Sequence, residues 1–208
     1  MSVKFTILLL MVSSISFSQD FKKYFALTAD INKPLSNVEF IKATSSRGAK
    51  FMYREKINEK FTAGLDLGFA TYHDYLPPTA YDIPPATKIY TDVFGYVFNY
   101  TLTIAGEYYF VKDSWIMPFA GFGLGVSYSK LAQYYNIFGD EEKKVGGLFR
   151  PHLGTLMRFG KTSKFGAIFS THLDYSTINS KTFEYKSFSN LGFQFGLFVM
   201  VTDKKIQL

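Results

Sequence analysis

Apolar and polar residues alternate with a period of two along most of this 208-residue chain. The clearest case runs from Phe94 to Tyr128. Phe94, Tyr96, Phe98, Tyr100, Leu102, Ile104, Tyr108 and Phe110 hold even positions, with Asn99, Thr101, Thr103, Ala105 and Glu107 between them. After the turn Val111–Trp115, Pro118, Ala120, Phe122, Leu124, Val126 and Tyr128 alternate with Gly121, Gly123, Gly125 and Ser127. Period two is the repeat of a β-strand with one apolar and one polar face, and two such runs across a short polar turn predict a hairpin. The same reading predicts strands over Tyr24–Asn32, Arg47–Arg54, Lys60–Tyr72, Leu148–Phe159, Lys164–Ser176 and Phe188–Val201. The connections alternate between long ones of 14, 17, 19 and 11 residues and short ones of four or five. The long segment His73–Ile89 carries Pro77-Pro78 and Pro84-Pro85 and reads as a loop, since proline is excluded from most strand positions. Ser129–Gly147, with the charge cluster Asp140 to Lys144, reads as another.

Eight two-faced strands close a barrel, and what needs deciding is which face looks inward. In a water-soluble barrel the apolar set would line the interior. The polar set here is dominated by Gly, Ala, Ser and Thr with isolated charges, which is a poor water-facing surface. An eight-stranded barrel is also too narrow to hold rows of Phe, Tyr and Leu from every strand. The reverse arrangement fits: an apolar band facing lipid between aromatic girdles, small and charged residues facing a narrow lumen, and turns short on the periplasmic side and long outside. Tyr108, Phe110, Trp115 and Phe159 are placed for an inner girdle, and Tyr72, Tyr75, Tyr128, Tyr134 and Tyr135 for an outer one or just beyond it. The predicted fold class is all-β, an eight-stranded antiparallel up-and-down transmembrane β-barrel.

Composition sharpens this in a few places. Residues 1–18 hold Lys4, the apolar run Phe5–Val12 and the small residues flanking Phe17, which reads as a secretory signal peptide rather than a spanning helix. Residues 19–208 are then the barrel domain. Aromatic residues make up 19% of the chain, with 23 Phe and 15 Tyr, as expected where rings anchor a membrane interface. Cysteine is absent, which excludes disulfides and thiol chemistry. Loss of the leader removes one lysine and takes the formal charge from +6 to +5, spread over turns and loops. No basic stripe forms, so nucleic acid is not an expected partner.

The whole mature chain resembles small outer-membrane β-barrel proteins of the OmpA/OmpX type, in particular the short barrels of Bacteroidota-like envelopes. The likeness lies in the leader, the eight alternating strands and the loop asymmetry rather than in a residue motif. One departure is the tail Thr202–Leu208, where many such barrels end on an aromatic residue. The resemblance implies a monomer in the cell outer membrane, in contact with lipid and lipopolysaccharide, without cofactor or metal.

Ten polar residues share the inward parity: Asp30, Lys50, Arg54, Asp66, Glu107, Arg150, His152, Arg158, His172 and Asp174. Both signs occur in a space where an unpaired charge is costly, so a lumen-filling polar network is expected, with Glu107 drawing on Arg54, Arg158 or Lys50. A gate or narrow conduit and a two-histidine metal site are the other readings of the same residues. Antiparallel register about the turn Gly160–Ser163 sets Arg150 opposite Asp174 and His152 opposite His172. Enzymatic barrels need a nucleophile and base near the rim, and only His73-Asp74 offers a start, with no Gly-x-Ser-x-Gly elbow anywhere. A structural or surface-interaction role without catalysis is therefore expected, with a small-solute or hydrophobic-compound channel as the alternative. The aromatic loops Leu76–Thr87 and Leu131–Phe138 are candidates for holding an extracellular or envelope protein.

Overall fold

The computed structural model describes residues 21–83, 87–111, 114–135, 138–160, 162–183 and 186–202. The expected leader, the pair Pro84-Pro85 and the tail after Thr202 lie outside the described residues. Eight antiparallel strands run in chain order around a closed ring: β1 (Lys23–Pro34), β2 (Ser45–Lys56), β3 (Phe61–Ile83), β4 (Thr87–Tyr109), β5 (Ile116–Tyr135), β6 (Phe138–Arg158), β7 (Phe165–Ser176) and β8 (Phe188–Val201). β1 closes on β8 over an unbroken ladder from Lys23 opposite Val201 to Pro34 opposite Asn190. Closure leaves no unpaired edge where lipid could not satisfy backbone groups.

The faces follow parity. Leu27, Leu65, Leu67, Leu102, Ile104, Leu124, Leu153 and Leu197 stand exposed around the outside. Large apolar side chains in a continuous exterior ring are incompatible with water and fit a bilayer core. Rings flank this band on the periplasmic side, where Phe61 and Tyr108 pack 5.1 Å apart and Phe110, Trp115 and Phe159 are exposed beside them.

Two expected loops are strand instead. β3 and β4 run 23 residues each, paired as far as Ile83 opposite Thr87, and β5 pairs β6 up to Tyr135 opposite Phe138. Pro77-Pro78 does not end β3. The register shifts between Leu76 and Thr79, so the prolines occupy an irregularity where no ladder N–H is required. The charge cluster Asp140 to Lys144 likewise lies within β6. β2 meets β3 only as far as Thr71, and β7 meets β6 only as far as Leu148. Beyond those rungs β3 to β6 therefore rise alone as a four-stranded extension on the extracellular side.

The other two connections fold back over the barrel mouth. Lys42 and Ala43 donate backbone N–H groups to Asp74 Oδ2 at 2.7 and 3.2 Å. Ser180 donates its hydroxyl to Glu142, and Asn37 donates its amide to the Ser187 carbonyl. Gly146 makes room for this packing: a Cβ there would lie 2.7 Å from the Ile178 nitrogen.

Candidate functional site

The barrel interior is built in three tiers. At the periplasmic end Phe21, Tyr24, Tyr109, Met117, Phe119, Phe198 and Met200 form a buried apolar floor. Their rings meet edge-on, with Phe21–Tyr24 at 6.0 Å and Tyr24–Phe198 at 6.1 Å. At the extracellular end Ile41, Tyr72, Val97, Leu131, Ile178 and Phe188 form a ceiling, with Phe40 and Phe183 packed on it 5.1 Å apart. The polar residues lie between.

Arg54 occupies the middle of the lower polar layer and is fully buried. Its Nε donates to Glu107 Oε1 at 2.9 Å, and Nη1 and Nη2 donate to the Asp66 carboxylate at 2.5 and 3.2 Å. Nη1 also donates to the Tyr53 carbonyl at 3.0 Å. Glu107 Oε2 accepts from the hydroxyls of Tyr24 at 2.7 Å, Tyr109 at 2.8 Å and Thr62 at 3.3 Å, and His152 Nε2 lies 3.5 Å from Oε1. Such a pair survives burial because hydrogen bonds occupy both partners. Small neighbours make the meeting sterically feasible. Arg54 pairs in register with Gly64, which pairs with Ala105, so the guanidinium crosses β3 to reach Glu107 without obstruction.

The upper layer holds a second bidentate pair. Arg150 Nε and Nη2 donate to Asp174 at 2.5 and 2.6 Å, and Nη2 donates to Thr101 Oγ1 at 3.3 Å. The β6–β7 ladder is paired at Phe149–Tyr175 and resumes at His152–His172, skipping the rung of Pro151, which has no N–H. The Arg150–Asp174 pair bridges the two strands across this gap. Lys50 Nζ lies 4.0 Å from Asp30 Oδ2, and Gln194 donates to the same oxygen at 3.4 Å. His172 Nε2 sits between Asp30 at 3.8 Å and Asp174 at 3.7 Å. A cavity of about 10 Å³ beside Asp30, Asn32, Arg150 and Asp174 has room for one water.

All ten inward residues named from the sequence are buried. Nine fall in these two layers. Arg158 stands apart near the periplasmic turn, where its Nε donates to the Ser163 carbonyl at 2.8 Å, and Glu107 takes Arg54 as its partner. His152 and His172 face each other in register, but among the described residues no three His, Cys, Asp or Glu side chains gather into a metal-binding group.

Parity also exposes what sequence reading missed. Tyr24 and Tyr109 point inward and cap Glu107, although aromatic residues were expected outside. Tyr72 is not an outer-girdle residue: it shares the parity of Asp66 and Ala70, is buried, and meets Phe188 edge-on at 5.2 Å. Tyr135 lies beyond the girdle, on the last rung of the β5–β6 ladder, and donates to Asp140 at 2.8 Å. His73 and Asp74 are consecutive in a strand and therefore face opposite sides. His73 stacks on Tyr96 at 6.3 Å while Asp74 serves the mouth loop, so the two cannot act as a dyad.

A closed eight-stranded barrel with an apolar exterior ring and ion pairs inside is a small outer-membrane β-barrel. A solved structure carries the same fold. The chain is similar to the Neisserial surface protein A at 15% identity and a TM-score of 0.54, over 86% of this chain and 97% of that one. It is also similar to the attachment invasion locus protein of Yersinia pestis, at 10% identity and a TM-score of 0.47 over 88% and 99% of the two chains. The N-terminal β-barrel domain of Pseudomonas aeruginosa OprF aligns at 12% identity and a TM-score of 0.45, over 86% and 99%. At 15% identity the likeness to the first of these is one of fold. No family model matches the chain, and no curated protein sequence matches it.

Proposed function

We propose that the protein is a closed, non-catalytic barrel of the outer membrane that acts through its extracellular face. Residues 1–18 serve as its export leader, residues 19–208 form the single barrel domain, and it works as a monomer. The three-tiered lumen carries this reading. Apolar side chains fill both ends, and two ion-pair layers fill the middle, so a hydrated ion has no continuous polar path. The polar network then acts as a plug and internal brace, and the extension of β3 to β6 presents the surface for interaction.

Planar-bilayer recordings of the purified, refolded protein test this directly. The expected result is no steady single-channel conductance at neutral pH. Discrete, reproducible channel openings would overturn the plug and make the barrel a small-solute channel.

A further inference from the structure

Two of the long connections make one cover over the barrel mouth. The loop between β1 and β2 contributes Phe40 and Ile41 to the ceiling, and the loop between β7 and β8 contributes Ile178 and Phe183. The loops are joined at their base, beside β1 and β8. Ser36 donates its hydroxyl to the Ser187 carbonyl at 3.1 Å and accepts the Ser189 N–H at 2.8 Å. Leu35 donates its N–H to the Ser189 carbonyl at 2.8 Å. Phe40 and Phe183 pack against each other across the boundary between the loops. Away from this base the cover is fastened to β3 and β6, the two edge strands of the four-stranded extension.

Each fastening is a single carboxylate. On β3, Asp74 Oδ2 accepts the backbone N–H groups of Lys42 and Ala43, and on β6 Glu142 accepts the Ser180 hydroxyl. Around Asp74 the same face of β3 offers Tyr72 and Leu76, the rung opposite on β4 is Gly95, and the loop carries Glu39 and Lys42. Around Glu142 the same face of β6 carries Asp140 and Lys144, the rung opposite on β5 is Leu131, and the loop carries Lys181 and Lys186. Lys144 at 2.6 Å and the Ser180 hydroxyl hold the Glu142 carboxyl below the ordinary range. A value depressed in the closed form means that closure is favoured above the open-form value and loses that support as pH falls through the closed one. Protonation of Asp74 would likewise remove the charge toward which two N–H groups point, and charge-assisted hydrogen bonds are roughly twice as strong as neutral ones.

We propose that the two loops act as a single acid-released lid, hinged beside β1 and β8 and latched to the extension by Asp74 and Glu142. Because the loops are bonded to each other, either latch alone keeps the lid shut, and proton uptake at both frees it. Release uncovers Ile41 and Ile178 and opens the upper polar layer to the extracellular side. The lower ion-pair layer and the apolar floor still close the lumen, so the lid stands apart from the plug proposed above.

The test uses the refolded full chain in detergent micelles and limited trypsin digestion at neutral pH, read by mass spectrometry at the exposed lid residues Lys42 and Lys181. Asp74→Asn and Glu142→Gln imitate the protonated latches. Each single variant is expected to be cut at close to the wild-type rate, and the double variant on the order of tenfold faster. Asp140→Asn, which removes a neighbouring acid that accepts only from Tyr135 in the extension, is expected to change nothing. In the wild type, amide exchange at Lys42 and Ala43, adjusted for intrinsic rates, is expected to lose protection as pH falls below about 4. Unchanged cutting of the double variant, or protection at Lys42 and Ala43 that persists in acid, would overturn the latches. Single variants that release their own loop as fully as the double variant would overturn the single lid. Loss of heat-modifiable gel migration in the double variant would show unfolding of the barrel in place of release, and would overturn the proposal too. Bilayer recordings on the same samples report on the plug independently, so either reading can fail without the other.

Discussion

Arg54 is the residue on which the interior depends most. It gives three hydrogen bonds to two buried carboxylates and two to the backbone carbonyls of Tyr53 and Leu65. Replacement by methionine keeps most of the stem volume and removes the charge, leaving Glu107 and Asp66 as buried anions. Breaking a buried pair from one side costs ~3–5 kcal/mol, because the remaining charge stays desolvated. Glu107→Gln should cost less, about 1.5–3 kcal/mol, since Asp66 still holds Arg54 and the amide still accepts from the tyrosine hydroxyls. In the double variant Arg54→Met/Glu107→Gln, only Asp66 is left without its partner. The two costs should therefore fail to add, by about 1–3 kcal/mol in the favourable direction. Urea titration in lipid vesicles, read by the fluorescence of Trp115, the single tryptophan, and by heat-modifiable gel migration, measures all three. A cost for Arg54→Met below about 1 kcal/mol, the range of surface pairs, would refute the claim that the network is a desolvated brace. Strict additivity in the double variant would refute the coupling.

Leu102→Arg places a charge on the lipid face near the midplane and should cost ~2–4 kcal/mol in the same titration; a neutral result would put this hairpin in water. Beyond the membrane, Glu142 pairs with Lys144 at 2.6 Å and accepts from Ser180, and these two hydrogen bonds hold its carboxyl below the ordinary range. A depressed folded value means the contact is intact above the unfolded value and is lost as pH falls through the folded one. Hydrogen exchange at the Phe183 amide, which donates to Ser180 at 3.1 Å, should therefore show reduced protection at acid pH once adjusted for intrinsic exchange rates. Unaltered protection below the carboxylate range would exclude Glu142 as the fastening of the mouth loop.

The architecture was legible because a membrane barrel writes its two environments into alternate residues. Lipid demands apolar side chains at every outward position, so parity alone separates Leu102 and Ile104 from Thr103 and Glu107. The extension was not legible for the same reason. Above the bilayer the outward face no longer has to be apolar, so the alternation fades through Asp140 to Lys144 although the backbone ladder continues. Pro77-Pro78 added a false stop, because a register irregularity absorbs the missing donors without ending the strand. Tyr72 was misplaced by trusting residue type over parity.

By itself the sequence determined the number of strands, their faces, the lipid band and the inventory of charges left inside, since each depends on local period and composition. Which charges meet is a property of barrel closure. Arg54 reaches Glu107 only because β2 and β4 flank β3 at a register that lines up Gly64 and Ala105 beside the guanidinium. Tertiary structure likewise decided that Tyr24, Tyr109 and Phe198 close the lower end while Ile41, Ile178 and Phe188 close the upper. These residues lie far apart in the chain, and no spacing along a strand records that they share one narrow lumen.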